Sequence, residues 1–210
     1  MQNNNRFSFL SQAVSIIFHP VFIPLYVALM YFYLSPRHFL QQNIKFLLIY
    51  LSLVSVVIPL LFIGVMFYSK AFSSIDIKTP RERLFLSALM AVVYLIILKK
   101  IIRYHQYIEL YPFITGTLLT ITGLMIYNYF KQMPSIHAAA MSGAVTFFLI
   151  WSYYSQINIL NYISVFILLT AIVIAARLYL SIHNTPEIIR GILLGILMQI
   201  AGFYIGLLVF

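Results

Sequence analysis

Seven long apolar runs constrain this chain more than any other feature. They lie near residues 11–34, 44–68, 84–102, 110–130, 135–153, 158–180 and 186–209. A helix needs about 20 mostly apolar residues to cross the hydrocarbon of a bilayer. A lipid-exposed backbone must also satisfy its own polar groups, which runs of this length do as helices. The expected fold is an all-α polytopic membrane protein, a bundle of six to seven transmembrane helices in one domain spanning residues 1–210. The run 11–34 differs from the rest. His19-Pro20 and Pro24 remove backbone donors, so it reads as a broken or peripheral span, with the core of the bundle at 44–210.

Composition bears on the surroundings and on the chemistry. Hydrophobic residues are 63% and charged residues 8% of the chain, against about a quarter charged in soluble domains. The outside must therefore face lipid. The net charge is +9, but the cations are scattered over short loops and form no stripe for nucleic acid. They read as interfacial anchors, topology signals or ligands for anionic headgroups. Cysteine is absent, which excludes disulfides, a thiol nucleophile and cysteine-held metals. The start "MQNNNRFSFLSQ" has no small-residue cleavage pattern after its first apolar run, so no cleaved signal peptide is expected.

Seven crossings assign each loop to a face. The N-terminus and the segments near 69–83, 131–134 and 181–185 share side one. Side two holds the segments near 35–43, 103–109 and 154–157, with the C-terminus. Side two carries Arg37, Lys45, Lys99, Lys100 and Arg103, and side one carries Arg6, Lys70, Lys78, Arg81, Arg83 and Lys131. If several side-one cations serve a ligand, the remaining bias puts side two in the cytoplasm. In a bacterial inner membrane, side one is then periplasmic. Tyr104, Tyr107, Tyr111, Tyr153 and Tyr154, with Trp151, are expected in an aromatic belt at the span ends.

Three polar islands lie on side one. The first is "ARLYLSIHNTPEIIRG", 176–191. His183 and Glu187 are four apart, which puts them on one helix face if a helix begins near Asn184. The carboxylate would then orient the imidazole and raise its basicity, as a nucleophilic histidine needs. The plainer alternative is an ion pair of Glu187 with Arg190 beside a loop histidine. The second island is "PSIH", where Ser135 reads as a helix N-cap and His137 falls in the first turn. A helix N-terminus with these groups suits phosphate, or the histidine simply reaches water. The third is "KTPRERLF", with Lys78, Arg81 and Arg83 around Glu82. It serves either a ligand or the lipid headgroups.

Their shared face favours one purpose. Cations and helix N–H groups would hold phosphate oxygens, one histidine would attack phosphorus and the other would protonate the leaving oxygen. Side one offers only Asp76, Glu82 and Glu187 as carboxylates among many cations, a poor donor set for magnesium or zinc. No metal and no cofactor are expected. His19, His38 and His105 have no evident partner and read as structural. Gly191 with Gly195, and Gly202 with Gly206, form small-xxx-small pairs that favour close helix packing within one chain.

These residues resemble the motifs of the type 2 phosphatidic acid phosphatase superfamily: Lys-x6-Arg-Pro, Pro-Ser-Gly-His and Ser-Arg-x5-His-x3-Asp. Arg177, His183 and Glu187 keep the third motif's spacing, with Ala176 for its serine and glutamate for its aspartate. Pro134-Ser135-Ile136-His137 is similar to the second, with isoleucine for glycine. Lys78 and Arg83 stand closer together than in the first, with Leu84 where it has proline. The resemblance implies a metal-independent lipid phosphate phosphatase, acting on a polyprenyl diphosphate, phosphatidic acid, phosphatidylglycerol phosphate or lipid A phosphate. It implies that His183 becomes a phosphohistidine, that Glu187 orients it and that His137 is the general acid. Lys78, Arg83 and Arg177 would bind phosphate, assisted by Ser135 and Arg81, with Arg190 behind them. The alternatives are an anionic-lipid binding or transport protein on the same scaffold, or a lipid phosphotransferase.

Overall fold

A computed structural model describes residues 2–71, 79–101, 107 and 109–208 of the chain. All the regular structure among them is helical. In order, the elements are α1 (Gln2–Ile17), α2 (Ile23–Leu34), α3 (Gln41–Leu51), α4 (Ile58–Tyr68), α5 (Pro80–Ile96), α6 (Leu110–Tyr129), α7 (Ile136–Tyr154), α8 (Leu160–Tyr179) and α9 (Thr185–Leu208). A π-helical stretch, Ser52–Val57, joins α3 to α4 into one apolar helix over Gln41–Tyr68. Among the described residues, five helices are long and apolar enough to cross a membrane, and α2 is a shorter apolar helix. The protein is a multi-pass membrane protein.

The run 11–34 is broken. The chain leaves helix at 18–22, around His19-Pro20, and Pro24 sits in the first turn of α2, where its missing N–H costs nothing. α1 does not continue α2 across the bilayer but packs against α8.

α9 is the spine of the bundle, packed against both α6 and α7. Its glycines explain how. A Cβ at Gly191 would lie 2.5 Å from the Ser135 carbonyl oxygen, and one at Gly195 would collide with the Ala139 carbonyl and the Ser142 hydroxyl. Further along, a Cβ at Gly202 would strike the Gly116 backbone, and one at Gly206 would lie 2.8 Å from Pro112 Cγ. Both small-xxx-small pairs are therefore used within the chain, the first against α7 and the second against α6. Backbones this close gain dispersion contacts and interhelical hydrogen bonds, which drive helix association where there is no water to expel. The Ser142 hydroxyl donates across the seam to the Ile192 carbonyl at 3.2 Å, and Gln199 Nε2 donates to the Pro112 carbonyl at 3.3 Å.

On side two, the Tyr31 hydroxyl donates to Glu109 Oε2 at 2.7 Å, and Arg37 pairs with Glu109 Oε1 at 3.0 Å. This ties α2 to the start of α6. The aromatic belt is only partly as expected. Tyr153 and Tyr154 are exposed, but Trp151 and Tyr107 are buried. Trp151 packs on Tyr31, Phe147 and Phe148, because α2 closes over the surface that lipid would otherwise cover. Tyr104 lies outside the described residues.

Gly195→Ala should lower stability by about 1–3 kcal/mol through overpacking. Gly64→Ala, where nothing lies within 4 Å of the added carbon, should leave it unchanged or raise it slightly. Thermal unfolding of the two variants in one detergent checks the contrast.

Candidate functional site

Three of the helices that begin on side one carry a side-chain cap. Thr79 caps α5 in a reciprocal box, with its side chain accepting from the Glu82 N–H and Glu82 accepting from the Thr79 N–H. Ser135 caps α7, accepting from the Ala138 N–H at 3.4 Å. Asn184 caps α9: its Oδ1 accepts from the Glu187 N–H at 3.0 Å, and Glu187 Oε2 accepts from the Asn184 N–H at 3.3 Å. The capping box satisfies donors that a helix start leaves open. It also concentrates three positive helix ends on one face.

The same Glu187 Oε2 lies 2.8 Å from His183 Nδ1. A carboxylate only accepts, so Nδ1 carries the proton and Nε2 presents its lone pair. Glutamate suits this place because it reaches back three residues to the cap as well as to the histidine. The spacing before His183 has an equally local cause. The Ser181 N–H donates to the Leu178 carbonyl and the Ile182 N–H to the Arg177 carbonyl, while Ser181 takes a φ of 52°. That is the Schellman ending of α8. Arg177 is the residue whose carbonyl closes it, and His183 is the first residue after it.

The end of α8 and the start of α9 are joined to α7. The Ser135 N–H donates to the Glu187 carbonyl at 3.0 Å, so both histidine-bearing elements share one junction. Arg190 does not pair with Glu187. Its guanidinium donates to Gln132 Oε1 at 2.8 Å and to the Pro186 carbonyl at 3.1 Å, bracing the α6–α7 loop. Arg83 is buried in the first turns of α5, and its charge acts on both Glu187 and His183. Arg177 acts on His183, His137 and His19. Burial holds His183 below the ordinary histidine value, and Arg83 and Arg177 add to this. Its bond to Glu187 pulls the other way without reversing it.

The predicted residues divide accordingly. His183, Glu187, Arg83, Arg177 and His137 come together. Ser135 is fully buried and serves as cap and junction. Arg81 is exposed on α5, and Lys78 lies outside the described residues. Ile136 takes the first helical position of α7 without a positive φ. Among the described residues, no three histidine, aspartate or glutamate side chains are placed to share a metal ion.

Two contacts escape the sequence reading. His137 Nε2 lies 3.1 Å from the Ser15 carbonyl oxygen of α1, so that nitrogen carries the proton and donates. His19, read as structural, stands perpendicular to the His137 ring at 5.2 Å between centroids. The available signal was its place as an ionisable residue inside an apolar run.

Replacing Glu187 with Gln removes both the charge and the carboxylate bond that favour His183 imidazolium. The His183 titration midpoint, already below the ordinary histidine range, should move further toward acid. Imidazole NMR shifts of wild type and Glu187→Gln across pH 4–8, about two units around that range, check the direction.

A family model described as the PAP2 superfamily matches residues 83–208, more than half of the chain. Comparison with curated proteins and with solved structures gives no match.

Proposed function

The chain belongs to the PAP2 superfamily, a family generally of phosphatases, and from that premise we propose that it hydrolyses a lipid phosphate through a phosphohistidine. The observation that carries the reading is the His183–Glu187 contact at 2.8 Å, flanked by Arg83 and Arg177. Glu187 fixes the tautomer that leaves His183 Nε2 unprotonated. Arg83 and Arg177 hold the non-bridging oxygens of the phosphate, with Arg81, exposed in the first turn of α5, drawing the anion in and Lys78 adding its charge. Ser135 and the N-terminus of α7 supply the positive end of a helix.

Nε2 of His183 attacks phosphorus as the bond to the lipid oxygen breaks. The leaving oxygen takes a proton from His137. The Nε2 of His137 is turned to the Ser15 carbonyl, so Nδ1 of the imidazolium is the donor. Water then attacks the phosphohistidine, giving its proton to Nδ1 of the now neutral His137, and the P–N bond breaks to release phosphate and restore both histidines. No step calls for a metal. The substrate enters sideways from the bilayer, and the site faces the periplasm of a bacterial inner membrane. A reporter fused at the C-terminus tests that orientation, and a periplasmic C-terminus overturns it.

Purified protein should release phosphate from a panel of lipid mono- and diphosphates in the presence of chelator. His183→Ala should abolish turnover and the trapping of labelled phosphate. His137→Ala should slow turnover by about 10²–10⁴-fold, the usual contribution of a general acid. Inactivity of the wild type on the whole panel overturns the reading. Because kcat/KM reports the free enzyme's ionisations, its acid limb should lie below pH ~6.5 and move lower still in Glu187→Gln.

A further inference from the structure

The N-terminal segment lies outside the family-matched stretch, yet it reaches the site. Its Ser15 carbonyl holds His137 Nε2 at 3.1 Å, and its His19 ring stands against the His137 ring. Arg177 acts on both histidines. His19 lies in the non-helical break at 18–22 that follows α1.

Two further facts define what the break offers. The Val21 N–H donates to His19 Nδ1 at 3.4 Å, so the proton of the neutral ring is on Nε2. The Ser15 side-chain oxygen is buried and has no hydrogen-bond partner among the described residues. Buried hydroxyls without partners are uncommon and call for an explanation, a ligand being one. Ser15, through its carbonyl, and His19, through its ring, both adjoin His137, the residue that faces the leaving oxygen in the proposed reaction.

We infer that Ser15 and His19 form a leaving-group subsite that selects a diphosphate over a phosphate monoester. This rests on the phosphatase reading. A monoester leaves as a single alkoxide oxygen, which one proton from His137 satisfies. A diphosphate leaves as a second phosphate whose remaining oxygens stay charged and need donors of their own. The Nε2–H of His19 and the hydroxyl of Ser15 supply them, while the terminal phosphate sits at Arg83 and Arg177. Both residues are substrate-binding groups, with no proton transferred by either.

Equilibrium binding of methylenediphosphonate and of inorganic phosphate to the detergent-solubilised protein tests this. The wild type should bind the diphosphonate more tightly. Ser15→Ala and His19→Ala should each weaken the diphosphonate about tenfold, the size of one hydrogen bond to a charged group. Neither should change phosphate affinity. His19→Gln, whose amide N–H can stand in for Nε2–H, should recover part of the loss. Equal losses for both ligands, or none for the diphosphonate, overturn the subsite and leave the phosphatase reading standing. A wild type that binds neither ligand overturns that reading and the subsite with it.

Discussion

The close approach of α7 and α9 is the contact on which the site depends. Gly191 and Gly195 let the backbone of α9 lie directly on the Ser135 and Ala139 carbonyls. In lipid there is no hydrophobic gain from bringing two apolar helices together, so small residues and interhelical hydrogen bonds decide where they meet. Here they meet at their N-terminal ends. One bond from the Ser135 N–H to the Glu187 carbonyl ties the two helix starts together. His137 stands in the first turn of the first helix and His183 one residue ahead of the second helix's cap. α6 packs on the other half of α9 through Gly202 and Gly206, so α9 is contacted closely along both halves.

The motif spacings follow from how helices end and begin. Five residues separate Arg177 from His183 because a Schellman ending consumes them. Three separate His183 from Glu187 because an N-cap and the first two helical positions intervene. The carboxylate that closes the α9 cap is also the one that holds the histidine, and glutamate reaches both. Electrostatics then sets the histidine's state. Burial and two guanidinium groups hold its pKa below the ordinary histidine value, while Glu187 turns the ring so that Nε2 of the neutral form is bare.

Much of this was legible in the residues. The apolar runs marked the helices closely, and Pro20 and Pro24 marked the break. The four-residue spacing of His183 and Glu187 is a helix-face relation that needs no tertiary information. The boxes at Thr79–Glu82 and Asn184–Glu187 also carry a local signature, although Glu82 read there only as a charge among cations. What was not legible joins distant parts of the chain. His19 and Ser15 meet His137 more than a hundred residues away. Arg190 turns from the nearby Glu187 to Gln132. Trp151 is buried although its neighbours Tyr153 and Tyr154 are exposed.

By itself, the sequence determined the solvent and the helices, and the parity of crossings set an expectation for the face of each loop. Hydrophobic length and the parity of crossings are properties of the chain read in one dimension, and a bilayer enforces both. Only the tertiary structure decided which groups on that face touch. Helices in lipid choose their neighbours by backbone contacts a few ångströms across, and the glycine spacing that permits such a contact does not name the helix that makes it. That is why a histidine at a proline break could look structural and yet lie against the ring of His137.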